Sequence, residues 1–243
     1  MMIRPPCVLF PLLVFLLLVG CAIQPVVVTE PAPEPKSPAL AAAEDYWWYV
    51  RFRQPWPEGE PAAWHKDVLL ADRIVAPVLA EQRESITLWR VHRRAARDGA
   101  GHQFSFIFRA TPAAAARINA RIASDPLLAR LLRANVVQAV GYDDPRHPQR
   151  PGIADTSDRD WTPELQRAWP YFIMGVSQLW LELIREIQAR EDWPDDLEAR
   201  YAAIGEELDA LWRKQGGHAL LHHLNAVFGY REVEMIRRES LRF

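Results

Sequence analysis

Residues 86–110 read Ile-Thr-Leu-Trp-Arg-Val-His-Arg-Arg-Ala-Ala-Arg-Asp-Gly-Ala-Gly-His-Gln-Phe-Ser-Phe-Ile-Phe-Arg-Ala. Two runs rich in β-branched and aromatic side chains, Ile86–His92 and His102–Arg109, flank Arg-Asp-Gly-Ala-Gly, whose glycines and aspartate favour a turn. The spacing predicts a β-hairpin. On its N-terminal side, Tyr46-Trp47-Trp48-Tyr49-Val50-Arg51-Phe52-Arg53 has the composition of a strand that stops at Gln-Pro-Trp-Pro. Between that strand and the hairpin, Trp64, Val68, Ile74 or Val75, and Leu79 recur at helical spacing. Pro77, which has no N–H to donate, should kink or divide this helix.

C-terminal to the hairpin, Thr111-Pro112 and Asp125-Pro126 each place a capping side chain before a proline at the first helical position. They predict helices to Ile122 and to about Arg133, followed by a fourth strand over Asn135–Tyr142. The order β-α-β-β-α-β predicts an α+β domain with one four-stranded antiparallel sheet, a ferredoxin-like unit. After a polar connection (144–160), Thr162-Pro163-Glu164 starts a long helix. Leu165, Trp169, Phe172, Val176, Leu179 or Trp180, Leu183 and Ile187 give that helix a broad apolar face. Trp193-Pro194-Asp195 should end it and cap the next, whose Leu197, Tyr201, Ile204, Leu208 and Leu211 form a seam for an antiparallel helical hairpin. Gly216-Gly217 should break the pattern before short terminal helices over His218–Phe228 and Arg231–Ser240.

The organisation is therefore residues 1–20, 21–44 and 45–243, the last divided into a sheet-containing part (45–143), a loop (144–160) and a helical part (161–243). Residues 1–20 have the parts of an export signal: Arg4, an apolar run from Val8 to Val19, and small residues before Cys21. The run falls short of the about 20 apolar residues a membrane span needs. Leu18-Val19-Gly20-Cys21 resembles the lipobox of bacterial lipoproteins. That resemblance implies cleavage before Cys21, acylation of Cys21 and a lipid bilayer as partner, and Ala22 after it favours the outer over the inner membrane. Residues 22–43 are proline-rich and read as an extended tether. At about 3.1 Å per residue it reaches at most roughly 70 Å.

Cleavage takes Arg4 alone from the 29 basic side chains and none of the 31 acidic ones. A surface so nearly balanced supplies no field for nucleic acid. With Cys7 removed and Cys21 acylated, the two cysteines of the chain leave no thiol for a disulfide, a nucleophile or a thiolate metal site. No glycine-rich phosphate cradle or nucleophile elbow is present, and Asp155, Asp158 and Asp160 lack the glycine and distal glutamate of an EF-hand. No cofactor is implied.

Candidate sites are few. His218 and His222, four apart on a helix, have the spacing to ligate one metal, with Glu232 or Glu234 as a carboxylate. Histidines so placed near a chain end are more often surface or packing residues, and no metal is assigned. Trp47, Trp48, Trp56 and Trp64 are the candidate partner-binding residues, either in an aromatic contact surface or as core filling. Arg90, Arg93, Arg94 and Arg97 read as a solvated basic tip of the hairpin, or as an anion site.

Three segments together resemble the elimination-type domain of lanthipeptide dehydratases, also found in thiopeptide biosynthesis. They are Trp48-Tyr49-Val50-Arg51, the pair Leu88–His92 and His102–Phe106, and Leu221-His222-His223-Leu224-Asn225-Ala226-Val227-Phe228-Gly229. The resemblance implies catalytic candidates His222, His223, Asn225 and His102. It departs from the family at Phe104, Phe106 and Ala226, where the family carries arginines. Together these readings lead to an expectation of a membrane-anchored periplasmic binding or scaffold protein with an envelope partner, non-catalytic. The alternative is a divergent dehydratase-like enzyme or ligand-binding protein using His222 or His223.

Overall fold

The computed structural model describes residues 44–190 and 192–232. The expected export segment, Cys21, the expected tether up to residue 43, Glu234 and the helix expected beyond Glu232 lie outside the described residues.

Four strands form the sheet: β1 (Tyr46–Gln54), β2 (Leu88–Ala95), β3 (His102–Ala110) and β4 (Ala139–Tyr142). Their order across the sheet is β2-β3-β1-β4, and every neighbouring pair is antiparallel. The protein is thus mixed α+β, as its sequence pattern predicts. The hairpin holds β2 to β3 from Leu88↔Arg109 to Ala95↔His102. Its loop closes at Gly101, whose φ of +65° lies where a Cβ is penalised. Strand β4 is half its expected length. Asn135, expected to open it, instead ends the preceding helix with φ +55°, a left-handed conformation that asparagine tolerates.

One sheet face, with Trp48, Val50, Phe52, Phe104, Phe106 and Phe108, carries the main core. Helices α1 (Trp64–Leu70), α2 (Ala76–Glu81), α3 (Pro112–Ala123) and α4 (Pro126–Arg133) contribute the other side of it. A π-helical turn, Ala71–Val75, joins α1 to α2 immediately before Pro77, so the interruption falls where the proline withholds its N–H. Thr111 caps α3 by accepting from the Ala114 N–H at 3.3 Å, and Asp125 caps α4 by accepting from Leu127 and Leu128 at 2.8 and 3.2 Å.

The opposite face is covered as well. The 144–160 connection, which carries no periodic pattern, packs over Trp47, whose indole donates to the carbonyls of Gly152 and Ile153 at 3.0 and 3.2 Å. Asp143 pins the start of this segment by pairing with Arg51 at 2.8 Å and Arg150 at 2.7 Å.

Helix α5 (Pro163–Gln188) lies along the outer edge of β2. Its buried stripe is Pro170, Ser177, Leu181, Ile184 and Ile187. The expected face is therefore partly rotated: Leu165, Phe172, Val176 and Leu179 are exposed, Trp180 and Leu183 pack half-buried against the core, and Ile187 is fully buried. Ser177 accepts from the Val91 N–H at 3.2 Å and donates to the Ile173 carbonyl at 2.8 Å, so it satisfies an outward-facing donor of the edge strand. Ser177→Ala should leave that N–H without a partner under the helix and lower stability by about 1–2 kcal/mol, read as an unchanged urea m-value with a lower midpoint.

Helix α6 (Leu197–Gly216) is capped by Asp196, one residue beyond the expected position, through the Ala199 N–H at 2.8 Å. Its seam of Tyr201, Ile204 and Leu208 is buried, chiefly against α1 and less against α5. Gly216 and Gly217 do not break the helix. Both are helical, and the chain continues through a π-helical segment (Gly217–His222) into α7 (His223–Val227). Gly216 is needed for close approach, because a Cβ there would stand 2.6 Å from the Trp212 ring.

Candidate functional site

Where β1 ends and β3 begins, the register sets Gln54 opposite His102 at the end of the core-facing layer. Helix α1 lays Asp67 beside them. Asp67 and His102 are fully buried. One carboxylate oxygen of Asp67 accepts from the Gln54 amide, and the other accepts from Arg93 Nε of β2 at 2.9 Å. His102 Nε2 comes within 3.3 Å of Asp67 Oδ1, but off the line a hydrogen bond requires, so neither ring nitrogen has a partner. The rings of Trp64 and Trp56 stand edge-on to His102 at 5.0 and 6.4 Å.

Arg93 carries this buried cluster out to a surface groove. Its guanidinium lies 5.1 Å from the Trp64 ring and 5.0 Å from the Trp180 ring, and it donates to the Trp64 carbonyl at 2.9 Å. The groove has a volume of about 480 Å³ and runs between α5 and α6 with α1 as its floor. Trp64, Leu179, Trp180, Leu208, Trp212 and Leu220 give it apolar walls, with Glu206 and Asp209 at the acidic side. Asp67 matches the charge of Arg93. Among the described residues no ion pair engages Glu206 or Asp209, so the unmatched charge of the groove is negative. Val176 of α5 also lines it, and Phe172 of α5 with Leu221 and Leu224 after α6 are further exposed apolar side chains.

The arginines of the hairpin divide between buried Arg90, half-buried Arg93 and Arg94, and exposed Arg97. Arg90 is buried over the Trp169 ring at 4.9 Å, and burial pulls its guanidinium below the ordinary value. Arg94 pairs with Asp98 at 2.6 Å, while Arg97 stacks on Trp56 at 3.5 Å. Each is held by an aromatic ring or a carboxylate already present.

The predicted tryptophans separate into two groups. Trp47 and Trp48 are buried on opposite sheet faces, which removes them from any contact surface. Trp56 is half-buried, and Trp64, 41 % exposed, lines the groove. His218, His222 and His223 gather as an exposed cluster with ring centroids 5.0–5.4 Å apart, and Tyr230 Oη lies 3.3 Å from His222 Nε2. Among the described residues no three His, Cys, Asp or Glu side chains converge as a metal site would require. Asn225 is half-buried beside that cluster, whereas His102 belongs to the Asp67 cluster on other elements. Phe104 and Phe106 are fully buried core residues.

Sequence reasoning missed Asp67 and Gln54, and named Trp180 only as part of an apolar helix face. An aspartate in the first turn of a helix is ordinary, and the only signal here was its position directly before the apolar run Val68-Leu69-Leu70. The features together define an α+β domain with a tryptophan-walled apolar groove. No protein-family model matches the chain, and comparison with characterised proteins and with solved structures finds no match.

Proposed function

We propose that the chain is an outer-membrane lipoprotein, anchored by acylated Cys21, whose periplasmic domain recognises another envelope protein and does no chemistry of its own. The observation that carries recognition is the groove. A soluble surface seldom leaves a contiguous apolar patch unless something docks there, and this groove joins two tryptophans around a neutralised arginine to the exposed stripe of α5. The partner fitting it presents an apolar face with a basic group opposite Glu206 and Asp209. The anchor rests on the lipobox resemblance, and the tether gives the domain its reach. The strand order β2-β3-β1-β4, with antiparallel neighbours and helices after β1 and β3, supports a ferredoxin-like reading of the domain, which by itself implies no activity. The dehydratase-like alternative draws no support from exposed His222 and His223 or from the core position of Phe104 and Phe106.

Intact mass and membrane fractionation test the anchor. The native protein should begin at Cys21, carry a triacyl mass increment and sediment with membranes, and Cys21→Ser should abolish all three. A full-length, unmodified soluble chain sinks the anchor. Recognition is tested by site-specific cross-linking from the groove in intact cells. Trp212→Ala should remove the cross-linked product, while a His222→Ala/His223→Ala double variant should keep it, and the reverse pattern restores the enzyme reading.

A further inference from the structure

A second cleft, of about 720 Å³, opens on the other side of His102, between the 55–58 segment after β1 and the β2–β3 loop. Its closed end is made by His102 and Gln54, both more than nine-tenths buried. Gln54 Oε1 and His102 Nδ1 have no hydrogen-bond partner, although buried polar groups are normally paired, whereas His102 Nε2 lies 3.3 Å from Asp67 Oδ1. A neutral imidazole presents one donor and one acceptor, and an amide oxygen is an acceptor. An oxyanion, which only accepts, would leave Gln54 Oε1 unmatched. A hydroxyl, which both donates and accepts, matches Gln54 Oε1 and, in either tautomer, His102 Nδ1.

The walls repeat this mixture. Arg53, Arg97 and Glu58 line it beside Asp98, whose charge is already met by Arg94, and Gln138 adds an amide that donates and accepts. Trp56 supplies a flat apolar wall. Its indole is held in place before any ligand arrives, because Nε1 donates to the Glu60 carbonyl at 2.8 Å and Arg97 lies 3.5 Å from the ring. Arg97 also donates to the carbonyls of Trp56, Pro57 and Glu60 at 2.9–3.0 Å, fixing the loop that carries the tryptophan.

We propose that this cleft binds a hydroxyl-rich ligand of saccharide chemistry. Trp56 packs against the apolar face of a sugar ring, Arg53, Glu58 and Gln138 hydrogen-bond its hydroxyls, and Gln54 with His102 closes the inner end. The proposal is independent of the groove and of the membrane anchor.

Calorimetric titration of the full-length protein in detergent with cellotriose, tri-N-acetylchitotriose and inorganic phosphate tests it. At least one trisaccharide should bind saturably with a Kd no weaker than about 1 mM, and phosphate should not. Trp56→Ala and His102→Gln should each weaken that binding at least about tenfold. Arg53 is exposed, so Arg53→Ala should weaken it with an unchanged melting temperature, which keeps the test valid if the other variants fail to fold. Silence with both trisaccharides overturns the proposal. So does phosphate binding with the sugars inert, or sugar binding that Arg53→Ala and Trp56→Ala leave intact.

Discussion

Asp67→Ala should lower stability by about 3 kcal/mol, because removing one partner of a buried ion pair leaves the other charge without compensation. Arg93 would remain between Trp64 and Trp180, and the Gln54 amide would lose its acceptor. The expected loss sits at the low end for such pairs because the Arg93 side chain keeps 29 % of its exposure and water recovers part of the charge. In a domain of this size the melting temperature should fall by roughly 6–12 °C. The double variant Asp67→Ala/Arg93→Met should regain much of the loss, since an apolar replacement removes the stranded charge. A loss under about 1 kcal/mol for Asp67→Ala, or equal losses for the single and double variants, would show that the cluster does not tie α1 to the sheet.

The second large effect separates the two stripes of α5. Ile184→Ala should cost about 3 kcal/mol, since a fully buried isoleucine cut to alanine loses its transfer energy and leaves a cavity. Phe172→Ala should change stability by no more than about 0.5 kcal/mol, its ring being 47 % exposed. Denaturant melts of both variants decide the matter, and a larger loss at Phe172 would rotate the helix back to its expected face.

That helix shows where a sequence becomes illegible. Between Tyr171 and Ile184 apolar side chains run nearly all the way round, so two overlapping stripes satisfy the same periodicity. The choice between them is made by β2, whose unpaired Val91 N–H is met by Ser177 on the narrower stripe. Strands and helix starts were legible because their signals are local: alternation in β1 and β3, and Thr111 and Asp125 before prolines. The candidate site was not, because its parts come together only in three dimensions. Asp67 and Arg93 lie on different elements, and Arg93 looked like one of four equivalent arginines until Trp64 and Trp180 were seen on either side. The covering of the second sheet face was equally hidden, since the 144–160 segment acts through backbone carbonyls whose presence no residue type announces. The histidines drew attention by their spacing in the sequence, yet the structure leaves them outside both clefts.

The place of β1 in the sheet bears on the order in which the chain can fold. Tyr46–Gln54 is the earliest strand of the described residues and sits between β3 and β4, so its nearest partner in sequence is the strand that begins at His102. Only the β2–β3 hairpin closes a short loop, and closing the longer ones carries a larger entropic penalty before any contact forms. A chain that emerges N-terminus first therefore holds its central strand unpaired until Ala110 has followed. Until then the described strands form no sheet that would resist the chain being pulled out in extended form.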